Sequence, residues 1–68
     1  MGYSTTEEIY LYDKLKKTTT NTFEDKEAMA RYYYEWRKVL QKLKNAEDKW
    51  SIEITFSNGK VLKGKIIN

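Results

Sequence analysis

Cysteine, histidine and proline are all missing from this 68-residue chain, and glycine occurs only three times. Without cysteine there is no disulfide and no thiolate metal site. Without histidine the chain lacks the commonest metal ligand and the one side chain whose unperturbed pKa lies near neutrality. Catalysis would have to use serine, threonine or lysine, or a carboxylate pair in a cleft. The adjacent pairs Glu7–Glu8, Glu24–Asp25 and Glu47–Asp48 sit where acids offset helix dipoles. A hard-cation site at Glu47, Asp48 and Glu53 has no calcium-loop spacing behind it. The expectation is therefore a non-enzymatic protein with no cofactor and no metal. No stretch approaches the roughly 20 apolar residues of a bilayer span, and none has the pattern of a secretory leader. A cytoplasmic protein without a membrane partner is the default.

What is present is charge and aromatic surface. The net charge of +3 comes from 13 bases and 10 acids. Through residue 48 acids and bases balance; Lys49, Lys60, Lys63 and Lys65 against Glu53 supply the whole excess. Lysine outnumbers arginine strongly, and tyrosine, asparagine and isoleucine are frequent. That usage fits translation from an AT-rich genome, as in many phages and mobile elements. A chain of 68 residues is expected to form a single small domain, residues 1–68, burying about 60% of its unfolded surface. Its stability is then a few kcal/mol at most, and self-association is a natural support.

Spacing predicts two helices and two strands. Ser4, Thr5 and Thr6 are candidate N-caps, with Glu7 or Glu8 at capping-box distance. Ile9, Tyr12 and Leu15 follow at helical spacing, so a short helix is expected over residues 6–17. The polar run Thr18–Thr22 reads as a loop, with Thr22 as the next cap. A long helix over residues 23–48 carries the stripe Met29, Tyr33, Trp36, Leu40 and Leu43, widened by Tyr32, Val39 and Ala46. From Trp50 the period falls to two: Trp50, Ile52, Ile54 and Phe56 alternate with Ser51, Glu53 and Thr55. Strands are expected over residues 50–56 and 60–67. A three-residue loop, Ser57-Asn58-Gly59, pairs Ile54 with Leu62, Ile52 with Gly64 and Trp50 with Ile66. A two-residue turn would instead put lysines on the apolar face. Gly64 then leaves room beneath Ile52 for a helix side chain such as Trp36. The expected fold class is α+β in two layers: a short helix, a long helix, then a two-stranded antiparallel hairpin packed on the long helix.

Tyr32, Tyr33 and Tyr34 are consecutive, and a helix turns about 100° per residue, so one ring must face away from the core. With Trp36 inward, that ring is Tyr34. Tyr10 likewise lies off its stripe. Aromatics are enriched where interfaces bury their centres. The candidate partner-binding residues are Tyr10, Arg31, Tyr34, Arg37, Lys38 and Gln41. Lys60, Lys63 and Lys65 are candidate encounter contacts. These features predict a non-catalytic protein-binding module acting by occlusion or scaffolding, with composition suggesting a phage or mobile-element inhibitor of a host or defence protein. The alternative is nucleic-acid binding through the lysine-bearing hairpin and the cationic-aromatic helix face. Because two strands alone are marginal, a homodimer extending the sheet is also expected.

Overall fold

The computed structural model describes residues 2–67. Two β-hairpins flank one helix: β1 (Tyr3–Leu11), β2 (Lys14–Phe23), α1 (Lys26–Lys42), β3 (Trp50–Phe56) and β4 (Val61–Ile66). They form a single four-stranded sheet in the order β2-β1-β3-β4, with every neighbouring pair antiparallel. The helix packs on one face. This corrects the expected ααββ arrangement: one helix and four strands stand where two helices and two strands were predicted.

The error lies in the first 23 residues. The helical spacing of Ile9, Tyr12 and Leu15 straddles a chain reversal: Tyr12 takes φ 55° at the hairpin tip. That left-handed conformation costs a bulky residue about 1–2 kcal/mol. It is held by the Tyr12 N–H, which donates to the Lys49 carbonyl at 2.8 Å. Alternation in β1 is hidden because its inward-facing set, Tyr3, Thr5, Glu7, Ile9 and Leu11, includes polar residues. Thr5 and Glu7 are nonetheless buried. The threonine run is no loop but the C-terminal half of β2, where β-branched side chains suit an extended backbone.

The helix also begins later and ends earlier than predicted. Asp25, not Thr22, is the N-cap; its carboxylate accepts from the Ala28 N–H at 2.8 Å. At the other end Leu43 donates to the Val39 carbonyl, and Ala46 donates to the Leu43 carbonyl in the turn that follows. Seventeen residues span about 26 Å at 1.5 Å each, matching the roughly 23 Å of a seven-residue strand such as β3.

The C-terminal hairpin takes the face-matched register: Ile54 opposes Leu62, Ile52 opposes Gly64, Trp50 opposes Ile66 and Glu53 opposes Lys63. Gly59, at φ 93°, makes the turn. Strand β4 itself runs Val61–Ile66, slightly inside the expected 60–67. Met29 and Leu40 of the helix meet Ile52, Ile54 and Phe56 in the buried core, with Tyr32, Tyr33, Trp36 and Leu62 packed around them. Val39, expected to widen the apolar stripe, is exposed. Leu40, rather than Trp36, occupies the space Gly64 leaves: a Cβ at Gly64 would lie 3.0 Å from Leu40 Cδ2. No described helix is long and apolar enough to cross a membrane.

Candidate functional site: an aromatic cleft

Successive positions on the helix fan the tyrosine triplet across its surface. Tyr32 turns toward the β1 side, with its ring 5.2 Å from Phe23 and 6.4 Å from Phe56. Tyr33 meets Phe56 edge-on, with centroids 5.3 Å apart. Tyr34 stands 54% exposed and packs edge-on against Tyr33 at 5.4 Å. Edge-to-face geometry suits the ring quadrupoles and fixes the Tyr34 ring without burying it.

Between these rings and the β3–β4 loop lies a cleft of about 280 Å³. Met29, Ala30, Tyr33, Tyr34 and Phe56 give it an apolar lining, and Lys26, Glu27, Asn58 and Lys60 complete it. The loop is held in place from three directions. Asn58 Oδ1 accepts from the Lys60 N–H at 3.0 Å, and the Phe56 N–H donates to the Lys60 carbonyl at 2.8 Å. The Ser57 hydroxyl donates to Met29 Sδ at 3.5 Å, and the Ser57 N–H to the Ser4 carbonyl at 2.8 Å. Lys60 Nζ sits 4.9 Å from the centre of the Tyr33 ring, a cation–π contact worth about 0.5–1 kcal/mol at an exposed site. Lys26 is the first residue of the helix, where the helix dipole already favours an anion. The volume falls just under the roughly 300–1,000 Å³ of small-molecule pockets. Its centre is apolar, and its border carries two lysines, Lys26 and Lys60, against one acid, Glu27.

The structure gathers some of the predicted residues here and disperses the rest. Tyr34 and Lys60 line the cleft. Arg31, Arg37, Lys38 and Gln41 are exposed on the helix and are not among the cleft-lining residues. Tyr10 is on β1, opposite Ser51, on the sheet face away from the helix. A patch combining Tyr10 with Tyr34 therefore does not form. Partial desolvation, then the carboxylates of Glu8 and Glu53, raise the Tyr10 phenol above its ordinary pKa. Lys63 shares that open face with Glu53, 4.0 Å from its carboxylate. Glu53 in turn opposes Glu8, so acids interrupt the basic face expected of the hairpin. Lys65 borders a separate, shallow hollow with Tyr12, Asp13 and Trp50. Sequence reasoning missed Lys26, Glu27, Met29, Ala30, Tyr33, Phe56 and Asn58 as cleft residues. The only hint was that Tyr33 and Phe56 each belonged to an apolar face needing the other.

A second polar constellation is internal. Glu7 is only 8% exposed, facing the helix. Its carboxylate accepts from the Tyr32 hydroxyl and, at 2.5 Å, from Asn21 Nδ2. Asn21 Nδ2 also lies 3.4 Å from Thr5 Oγ1. A buried carboxylate without such donors costs several kcal/mol. Burial, together with the hydrogen bond to Glu7, pushes the Tyr32 phenol up to about 12. Glu7 was expected in the first turn of a helix; instead it ties β1, β2 and α1 together. Among the described residues, no buried side-chain polar atom lacks a partner, and no group of three or more acids converges on a metal position.

No family model, curated protein or solved structure matches the chain.

Proposed function

We propose that the chain is a non-catalytic protein-binding module whose aromatic cleft captures an apolar anchor flanked by an acidic residue on its partner. The observation that carries this reading is the cleft itself: rings from α1 and β3 form an apolar hollow, and at its border Lys26 and Lys60 outnumber Glu27. An aliphatic or aromatic side chain inserted beside Tyr34 and Phe56 would lose its water there. A neighbouring carboxylate would meet the two ammonium groups, which favours correct encounter and orientation. The ring of Tyr34 is the expected hot spot, because interface energy concentrates in such semi-buried aromatics. Binding then acts by occlusion, covering whatever surface of the partner presents the anchor. The composition supports a phage or mobile-element inhibitor as the setting.

The test is amide chemical-shift mapping of the ¹⁵N-labelled full chain. Short acidic peptides carrying one Phe or Leu are titrated against it, with lysine-rich peptides of the same hydrophobicity as controls. The expected result is saturable shifts at Met29, Ala30, Tyr33, Tyr34 and Phe56 through Lys60 with the acidic series, lost in Tyr34→Ala and weakened in Lys60→Glu. Equal response to both series, or none, would overturn the reading. Salt-sensitive shifts confined to Lys63 and Lys65 with a single-stranded oligonucleotide would replace it by nucleic-acid binding.

A further inference from the structure

Strand β2 is the longest in the sheet at ten residues and lies at its edge. From Thr18 to Thr22 it carries no charge and no proline. The one register irregularity against β1 falls at Ile9/Tyr10, beside Lys16, before the threonine run begins. Sheet edges of this kind are ordinarily blunted by lysines, proline, bulges or a covering element, because their free N–H and C=O groups are a template for another strand. The threonine run has none of these devices. Its charges are instead segregated: Lys14, Lys16 and Lys17 at one end, Glu24 and Asp25 just past the other. Such a strand is complementary to itself when reversed.

We propose that β2 pairs antiparallel with β2 of a second copy of this chain about a two-fold axis at Thr20, joining two sheets into one continuous sheet. In an antiparallel ladder, directly opposed residues share a face. Centring the axis on Thr20 keeps faces matched, with Thr18 opposite Thr22 and Thr19 opposite Asn21. Counted outward from the axis, it brings Lys16, at the irregularity of each copy, near Glu24, in the bend just past β2 of the other, twice by symmetry. Centring on Asn21 would oppose Lys16 to Lys26, and centring on Thr19 would leave Lys16 opposite Thr22. The axis runs perpendicular to the sheet, so both helices lie on one face. Cross-strand threonine pairs on the opposite face add hydroxyl contacts. This surface is separate from the aromatic cleft and does not depend on the function proposed for it.

Sedimentation equilibrium of the full chain from low to high micromolar concentration tests the pairing. The wild type is expected to show a reversible monomer–dimer equilibrium, and Tyr34→Ala to leave it unchanged. Thr20→Lys places two like charges at the axis and is expected to give monomer throughout, with an unchanged circular dichroism spectrum because Thr20 is exposed. Lys16→Glu and Glu24→Lys are each expected to weaken the dimer about two- to fivefold per pair, and the two together to restore it. A wild type that stays monomeric overturns the proposal, as does a dimer indifferent to Thr20→Lys. A dimer that the combined charge swap fails to restore overturns the register centred on Thr20.

Discussion

Strands β2 and β4 are the two edges of the same sheet, but they are attached and protected in different ways. β4 is joined to the helix by apolar contact: Leu62 and Ile66 pack on the core, and Gly64 lets Leu40 approach closely. Its outer surface carries Lys63 and Lys65, charges that discourage a further strand. β2 adds polar anchors to the Phe23–Tyr32 ring contact, with Asn21 donating to the buried Glu7 that also binds Tyr32. Its threonine stretch offers no charge against pairing. The lesson is that edge protection and edge anchoring go together here. β4 is anchored by apolar contacts and carries lysines along its outer surface, whereas β2 adds buried polar anchors and keeps its lysines at one end, leaving the threonine stretch uncharged.

The difference can be broken from either side. The largest effect is expected from Leu40→Ala, which removes the side chain filling the Gly64 gap and leaves a void between helix and β4. Truncating a buried leucine costs about 2–5 kcal/mol, a large part of the stability of so small a chain. Urea denaturation checks it through a lowered midpoint at unchanged m-value.

On the β2 side, Glu7→Ala leaves the Tyr32 hydroxyl and the Asn21 amide without their acceptor. A loss of about 1–3 kcal/mol is expected, with Glu7→Gln losing less because it retains an acceptor oxygen. Amide exchange at β1 and β2 rising ahead of β3 and β4 would show that the polar anchor belongs to that edge. Equal acceleration everywhere would not.

Alkaline pH probes the same anchor. Because the Tyr32 phenol is raised from 10 to about 12 in the fold, the neutral form is favoured in the native state. Its contribution is complete below pH 10 and falls as pH rises from 10 toward 12. Tyr32→Phe is expected to flatten that part of the stability–pH curve, leaving a residual slope from Tyr10, whose pKa is also raised. An unchanged slope would remove Tyr32 as its source.

The smallest effect is expected from Lys63→Ala. Its contact with Glu53 is 4.0 Å long and lies at an exposed side chain, so the change in stability is within about 1 kcal/mol. Its consequence is predicted in solubility instead: light scattering at high concentration should reveal larger aggregates once one of the β4 guards is gone.

Legibility in the sequence followed the chemistry of the buried face. Around Leu40 and Ile54 the apolar residues recur at the period of their own element, so the β3–β4 register and the presence of a helix around Leu40 could be read directly, though not that helix's ends or the outward turn of Val39. Tyr34 could be placed outward for the same reason. The N-terminal hairpin could not, because Thr5 and Glu7 occupy inward positions where an apolar residue was needed to show the period. Phe56 became part of the cleft only through its contact with Tyr33, a meeting no local pattern encodes.

Composition alone excluded disulfides and histidine or thiolate ligands, since those depend only on which atoms exist. Periodicity alone placed the helical stripe and the second hairpin, since burial against apolar neighbours leaves a repeating mark. Tertiary structure decided that residues 3–23 form a β-hairpin. Glu7 can be buried there only because Asn21 and Tyr32 arrive from distant positions to satisfy it. Side-chain hydrogen bonding across such separations has no period, and so it becomes visible only when the chain is folded.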